Sequence, residues 1–347
     1  MQFYIKTKKI ALQYNNIVPI VFFSLSLAGL YFSKMPISFV INEVIVRFIR
    51  DGIMVLSLII PITAGMGLNF AIIIGAICAQ IGLLIVIDFQ IGGTLGLIFA
   101  IIIGVIFAIF LGTLIGILLN RATGKEMIAT IIMGFLATGI YQYIFLVGYG
   151  TFLPFHNNEI ILSRGVGIRS MVDLSIFRNT MDKLWQVQIG SIQIPFFMIL
   201  AVFAFALVIK YITETKLGQE IKTVGYNHEK AELLGIDVYS VRIKAIIIST
   251  VTACIGQIIF IQNIGMLNVY TAHLNSDIFS CAALLAGGAS IKKAKIRHAF
   301  LGIFLFHSLF IVSPQAGQNI FSNASIGEYF RSFIAYGAIA FALMAKK

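Results

Sequence analysis

The chain has 347 residues, of which 59% are hydrophobic and only 11% are Asp, Glu, Lys or Arg. A soluble domain typically contains about 25% charged residues, so this composition excludes a chain whose surface faces water over most of its area. The mean hydropathy of +0.97 indicates that lipid is the main solvent. Backbone groups in lipid must be satisfied within the chain, and the apolar runs do not alternate as barrel strands do, so we expect transmembrane helices.

The 25 Lys and Arg against 14 Asp and Glu give a formal net charge of +11. These basic residues cluster in short loops between apolar runs, which is typical of cytoplasmic loops in membrane proteins and does not indicate a nucleic-acid partner. Cys78, Cys254 and Cys281 lie in apolar runs without metal-ligand spacing. We interpret them as packing residues, and the sequence predicts no metal and no cofactor.

Apolar runs of about 20 residues are long enough to cross a bilayer, and the chain is predicted to contain about ten crossings. They are predicted at Ile17–Phe32, Gly52–Ala64, Met66–Ile87, Gly92–Leu119, Met127–Val147, Ile194–Ile212, Val241–Ile261, Ile278–Gly288, Ala299–Val312 and Phe330–Met344. The first run has the basic start of a signal peptide, but it is longer than a signal peptide's apolar region, so we expect it to be retained. The second and eighth runs are short for a full crossing.

Ten crossings place both termini on one side of the membrane. That side would carry the N-terminal lysines, Arg121 with Lys125, Lys210–Lys244, Lys292–His298 and Lys346 with Lys347. These segments are basic, which predicts that both termini are cytoplasmic. The opposite loops Gln262–Asp277 and Pro314–Glu328 contain no Lys or Arg, whereas Lys34–Arg50 is basic and yet would lie outside.

Two longer polar segments interrupt the apolar runs. Residues 148–193 form a predicted outer segment that contains the only tryptophan, Trp185. It is either an interfacial helix with loops that meets an external partner or a simple connector, and both interpretations stay open. Residues 213–239 are predicted to be cytoplasmic.

The cytoplasmic segment has the pattern of one short amphipathic helix between turns. Asn227 is suited to be its N-cap, and Gly235 would end it. Ala231, Leu234 and Gly235 would form a small, close-packing face, while His228 is expected to be a solvated turn residue. A short rigid helix of this kind can dock in a groove of a partner protein.

Sequence patterns here resemble a known family. The chain carries Thr215-x-x-Gly218, then Val224-Gly225-x-Asn227-x-x-x-Ala231-x-x-x-Gly235-Ile236, and later Ala286-Gly287-Gly288-Ala289-Ser290. These patterns resemble the permeases of ribose, galactose, nucleoside and branched-chain amino acid ABC importers. Sugar permeases of that family often carry a Gly-Gly-Ile-Asp-Leu-Ser-like stretch in an early span, where this chain reads Gly65-Met-Gly-Leu-Asn69-Phe. The substrate therefore stays open among sugars, nucleosides, amino acids and vitamins.

The resemblance implies an all-α, polytopic transmembrane helical bundle of the type II importer kind, with residues 1–347 as one permease domain in a bacterial inner membrane. It implies a coupling helix that contacts a separate ATPase subunit. The residues carried over to that contact are Gly218, Gly225, Asn227, Glu229, Ala231, Glu232 and Gly235. The implied further partners are a second permease copy or sister permease and an extracytoplasmic solute-binding protein.

The chain itself shows no nucleotide site and no catalytic cluster. A P-loop requires Gly-x-x-x-x-Gly-Lys-Ser/Thr, but Gly124-Lys125 is followed by Glu126 and lacks the first glycine. No Gly-x-Ser-x-Gly nucleophile motif occurs, which argues against a membrane enzyme. ATP hydrolysis would therefore belong to a partner subunit.

Polar residues inside the predicted spans are candidates for the translocation path, since such groups usually face the bundle interior. They are Asn69, Gln80, Gln142, Gln257, Asn263 and His307. Interhelical hydrogen bonding is the alternative role for each. The predicted deep spans show no clear Asp, Glu, Lys or Arg, which disfavours a secondary transporter or channel and indicates a neutral or zwitterionic solute.

Overall fold

A computed structural model describes residues 2–163, 165–177, 180–181 and 184–344. This part of the chain is predominantly helical, as expected for an all-α membrane protein. The helices are α1 (Gln2–Ser33), α2 (Ile37–Ser57), α3 (Ile59–Thr63), α4 (Ile72–Asp88), α5 (Gly93–Arg121), α6 (Glu126–Tyr143, followed by a π-helical turn at Ile144–Gly148), α7 (Phe196–Glu214), α8 (Lys216–Tyr226), α9 (His228–Leu233), α10 (Val238–Ile264), α11 (Ser276–Ala286), α12 (Ile296–Phe321) and α13 (Ala324–Met344). The basic pair Lys346 and Lys347 lies outside the described residues.

Five helices in the described ranges are long and apolar enough to cross a membrane, judged by length and composition alone. They are Gly93–Arg121, Glu126–Gly148, Phe196–Glu214, Val238–Ile264 and Ile296–Phe321. Three shorter apolar helices accompany them, at Ile17–Ser33, Ile72–Asp88 and Ser276–Ala286. The chain is thus a multi-pass membrane protein, and the count of about ten crossings stays a prediction.

The predicted loop at Lys34–Arg50 is wrong, because most of it is helical. The sequence placed a loop at Lys34–Arg50 and a short span at Gly52–Ala64, whereas α2 already begins at Ile37 and α3 ends at Thr63. Charged residues in the first half of α2 lower its hydropathy, although residues 52–57 are buried in the bundle. The basic outer loop that broke the charge rule is therefore mostly helix.

α10 is the central helix of the bundle and packs against α2, α4 and α5. Close crossings between neighbouring helices depend on glycine. A Cβ atom added to Gly82 of α4 would lie 2.9 Å from the backbone nitrogen of Gly104 in α5. Likewise, a Cβ on Gly302 of α12 would lie 2.8 Å from the nitrogen of Gly287, just after α11, and would collide with the Ala283 carbonyl oxygen. These contacts bring helix backbones together where no side chain fits.

Four short strands lie at one end of the bundle, which we call the strand end. Strand β1 (Met171–Asp173) pairs antiparallel with β4 (Met266–Asn268), and β2 (Gln186–Ile189) forms a hairpin with β3 (Ile192–Pro195). The sequence allowed an interfacial helix within residues 148–193, and the described part of this segment contains none. Because α10 leads from α9 to β4 over 27 residues, α8 and α9 lie at the opposite end, which we call the basic end.

Residues 148–193 are attached to the bundle through Asp88, the last residue of α4. The Asp88 carboxylate accepts hydrogen bonds from the backbone N–H groups of His156 at 3.0 Å and Asn157 at 3.1 Å. The His156 ring lies 3.0 Å from the second carboxylate oxygen. This segment is therefore anchored to the bundle near its start, and a contact with an external partner stays a prediction.

A methyl group added at a glycine in a helix crossing should destabilise the protein, whereas one added at an open glycine should stabilise it. Gly302→Ala should lower the free energy of unfolding by about 1–3 kcal/mol, because its Cβ would force α11 and α12 apart. Gly139→Ala in α6 is the matched control, since a Cβ there meets nothing within 4 Å. It should stabilise the helix by about 0.5–1 kcal/mol through helix propensity. Thermal unfolding midpoints in one detergent measure both, and equal midpoints would contradict the crossing.

Candidate functional site

Three side-chain caps define the geometry of the basic end. Thr215 begins α8 and accepts a hydrogen bond from the Gly218 backbone nitrogen at 3.4 Å. Asn227 begins α9 and accepts from the Lys230 nitrogen at 2.9 Å. Asp237 begins α10 and accepts from the Ser240 nitrogen at 3.1 Å. Each cap satisfies a backbone donor that a helix start leaves free, so the segment is a defined structure rather than a loop.

The predicted helix between Asn227 and Gly235 is confirmed as α9, but a second helix, α8, precedes it and was not predicted. Asn227 has an extended backbone (φ −163°, ψ 118°), which breaks the helical path between them. The predicted N-cap role of Asn227 is confirmed. Gly235 has φ +75° in the chain reversal after α9, a conformation that glycine adopts without strain.

α8 is fixed to the bundle by its buried face and by a glycine contact. Ile221 and Val224 are fully buried. The backbone of Gly225 packs directly on the chain after α3: a Cβ there would collide with the Thr63 carbonyl oxygen and lie 2.9 Å from the Gly65 nitrogen. Because two backbones meet here, a displacement of α8 has to move the loop between α3 and α4.

α9 turns apolar side chains away from the bundle. Leu233 and Leu234 are 87% and 72% exposed, and Tyr226 beside them in the chain is 84% exposed. Leu234 was expected to pack with Ala231, and that expectation is wrong, since Ala231 alone is buried. Large exposed apolar groups next to charged ones are typical of an interaction surface.

The seven sequence-predicted coupling residues lie on one segment but differ in exposure. Buried or half-buried residues support the segment, and exposed ones could contact a partner. The buried ones are Gly218 and Ala231, the half-buried ones are Gly225 and Asn227, and the exposed ones are Glu229, Glu232 and Gly235.

A buried ion pair lies beneath α9. Arg242 of α10 is 1% exposed and donates from Nη2 to the Glu126 carboxylate at 2.7 Å. The same nitrogen lies 3.4 Å from the Leu119 carbonyl oxygen, and Nη1 lies 3.4 Å from the His228 ring. The cluster therefore joins α5, α6, α9 and α10. Sequence reasoning missed this role, because Glu126 and Arg242 are 116 positions apart.

His228 is part of this cluster, so the expectation of a solvated turn residue is wrong. Burial lowers the pKa of His228, and the nearby Arg242 guanidinium lowers it further. The imidazole is therefore neutral near pH 7, which suits a position beside a buried cation.

Three of the predicted path residues meet at one segment, residues 269–273. Gln257 donates to the Ala272 carbonyl at 2.9 Å, and Gln142 donates to the Tyr270 carbonyl at 3.3 Å. Gln80, with its amide oriented to satisfy its neighbours, accepts from the His273 backbone nitrogen at 3.0 Å. In this arrangement the three amides, from α4, α6 and α10, hold the non-helical segment in place.

The other three path candidates lie elsewhere. Asn69 donates to the Ser249 hydroxyl at 3.2 Å and caps the turn before α4. Asn263 accepts a hydrogen bond from Arg50. His307 of α12 lies 3.1 Å from the Asp51 carboxylate of α2 and is buried.

Charged residues therefore occur within the bundle helices, and the expectation about deep spans stays a prediction. Arg50 and Asp51 belong to α2, and both lie outside the spans predicted from sequence. Their partners, Asn263 and His307, belong to α10 and α12. The sequence around α2 therefore does not contain the groups that stabilise these two charges. Among the described residues, no group of three or more His, Cys, Asp or Glu could hold a metal ion.

Removal of one partner of the Arg242–Glu126 ion pair should destabilise the protein more than removal of both charges. Arg242→Met should destabilise the protein by about 3–5 kcal/mol, because Glu126 would keep a buried and unpaired charge. The double variant Arg242→Met with Glu126→Gln should recover most of that loss, and Arg121→Met, at an exposed position, should have little effect. Thermal unfolding in detergent measures all three. A double variant less stable than Arg242→Met alone would contradict the pairing.

Comparison with known proteins adds one finding. A family model described as branched-chain amino acid transport system / permease component matches residues 40–343. No curated protein and no solved structure matches the chain. The match covers most of the sequence, including every helix from α2 to α12 apart from the start of α2. The chain belongs to this family of ABC-type transport permeases.

Proposed function

We propose that this chain is the membrane-spanning permease subunit of an ATP-driven ABC importer and that α8 and α9 dock a separate ATPase subunit. The observation that carries the proposal is the apolar group Tyr226, Leu233 and Leu234, exposed on a segment that is capped and anchored beneath. A fully buried leucine contributes about 1.5–3 kcal/mol, so covering this group would contribute substantially to a complex.

Two sets of contacts would transmit a movement of α8 and α9 to the bundle. One passes through Gly225 to the chain at Thr63–Gly65, and the other passes through His228 to Arg242 and Glu126. Binding and hydrolysis of ATP in the partner would move α8 and α9, and these contacts would transmit that movement to α4, α6 and α10. Access to the path would then alternate between the two faces.

In this proposal the basic end faces the cytoplasm of a bacterium, and the strand end faces outward. The basic turn Lys292–His298 lies at the same end as α8 and α9, in agreement with the charge rule for cytoplasmic segments. The outward-facing strands and residues 148–193 would receive an extracytoplasmic solute-binding protein. A second copy or a sister permease would complete the transport unit.

The translocation path would pass beside residues 269–273 and the half-length helix α11. Helices that begin within the membrane are tolerated where they border a path or are covered by protein. Gln80, Gln142 and Gln257 fix this segment, and we assign them a positioning role at the path. The solute would be small and polar: a sugar, a nucleoside or a related molecule, with branched-chain amino acids added by the family description.

A secondary transporter is the second candidate, and one observation favours it. Asp51 and His307 form a buried carboxylate–imidazole contact between α2 and α12. Such pairs are used in proton relays. In the importer proposal they only connect the two helices.

Docking at α9 predicts loss of the partner when the exposed leucines become charged. The double variant Leu233→Asp with Leu234→Asp should fold normally, because both positions are exposed, and should recover at least about tenfold less ATPase subunit on mild-detergent purification. Ile189→Asp, at an exposed apolar position of the β2–β3 hairpin, is the control and should keep the partner. Equal recovery from the leucine variant and the control would contradict the docking assignment.

The Asp51–His307 contact separates the two candidate functions. Asp51→Asn should leave ATP-dependent uptake into membrane vesicles within about threefold of wild type, since a proton carrier is not required. Collapse of the proton gradient at constant ATP should not stop uptake. If Asp51→Asn and gradient collapse both abolish uptake while ATP depletion has no effect, the secondary-transporter function is correct.

A further inference from the structure

A lysine-rich cavity lies at the basic end, outside the α9 surface. Its volume is about 460 Å³, and it is bounded by α3, α7, α8 and the turn that precedes α12. Lys222, Lys292, Lys293 and Lys295 line it, and its lining includes no Asp or Glu. Four cations around one opening create a positive potential that only an anion relieves.

Hydrogen bonds to backbone groups fix the parts of the chain that carry these lysines. Ser290 and Lys293 exchange two backbone hydrogen bonds of 3.0 and 3.2 Å, which close the turn that carries Lys292. Lys222 donates to the Thr213 carbonyl at 2.6 Å, which fixes its ammonium group at the end of α7. Within the described residues, Lys292, Lys293 and Lys295 have no carboxylate within ion-pair distance.

The remaining walls are apolar. Ile59 of α3, Ile209 of α7 and Ile296 of α12 contribute to the lining. α7 and α12 are both candidate membrane-crossing helices, and the cavity lies at the C-terminal end of α7 and the N-terminal end of α12. A ligand there would place an anionic group against the lysines and apolar groups along the helices.

We propose that this cavity binds the phosphate headgroup of an anionic phospholipid. Basic pockets between membrane helices are suited to this chemistry, because each lysine near the surface adds attraction for the phosphate. An acidic protein partner is the other source of negative charge, because Tyr226 of the proposed docking group also lines the cavity. The isoleucine walls of the cavity favour a lipid, which presents acyl chains beside its phosphate. The lipid would belong to the inner leaflet, because the basic end faces the cytoplasm in the proposed function. The choice of an anionic phospholipid does not depend on that orientation.

A headgroup bound in the cavity would contact α8. Gly225 and Tyr226 also line the cavity, and Gly225 is the residue that packs against Thr63 and Gly65. A bound headgroup would join α8 to the basic turn before α12. Anionic lipid would thereby stabilise the arrangement from which α9 projects.

The test uses the full chain in a neutral detergent, titrated with phosphatidylglycerol and, separately, with phosphatidylcholine of the same acyl chains. Native mass spectrometry counts bound lipid, and thermal unfolding measures stabilisation. The test variant is Lys292→Gln with Lys293→Gln and Lys295→Gln. The matched control, Lys216→Gln with Lys230→Gln and Lys244→Gln, removes the same charge from exposed lysines outside the cavity.

Wild type and control should bind phosphatidylglycerol in preference to phosphatidylcholine, and the test variant should bind it at least about tenfold more weakly. Unchanged binding in the test variant would overturn the proposal. Equal lysine-dependent stabilisation by inorganic phosphate, with no further gain from lipid, would assign a free anion instead. Unchanged lipid binding in the test variant, together with loss of an ATPase subunit when that variant is purified from native membranes in mild detergent, would assign a protein contact instead. None of these readouts depends on transport, so they separate this proposal from the importer function.

Discussion

Hydrocarbon solvates neither a charge nor a free backbone group, and the arrangement of this chain follows from that constraint. Most of its charges lie near the ends of the bundle, and the inner charges of Arg50, Asp51 and Arg242 have partners on other helices. Arg242 is the clearest case, because a fully buried guanidinium can persist only where Glu126, a backbone carbonyl and a neutral imidazole surround it. Its position fixes how α9 and α10 sit on α5 and α6.

The same constraint makes glycine a structural residue here. Without a hydrophobic drive between helices in lipid, association depends on close packing, and backbone contacts at Gly82, Gly104, Gly287 and Gly302 supply it. The contact of Gly225 with Gly65 extends this packing to the basic end. In the proposed function, this contact would couple a small movement of α8 to the chain that joins α3 and α4.

Local sequence patterns predicted what depends on nearby residues. The apolar runs, the short eighth helix and the cap at Asn227 are encoded within a few positions, and the family pattern around residues 215–236 identified the chain's class. Features that depend on distant partners were missed. Arg50 and Asp51 hid the start of α2, because their partners Asn263 and His307 lie more than 200 positions away.

The central claim is that α9 is the contact between this permease and an ATPase. Photo-cross-linking in native membranes tests it most directly, with a photoreactive amino acid at position 233 and, as a control, at position 189. The account predicts a cross-link from position 233 to a nucleotide-binding subunit, and none to that subunit from position 189. A cross-link from position 233 to lipid alone, with a fully assembled complex present, would contradict it.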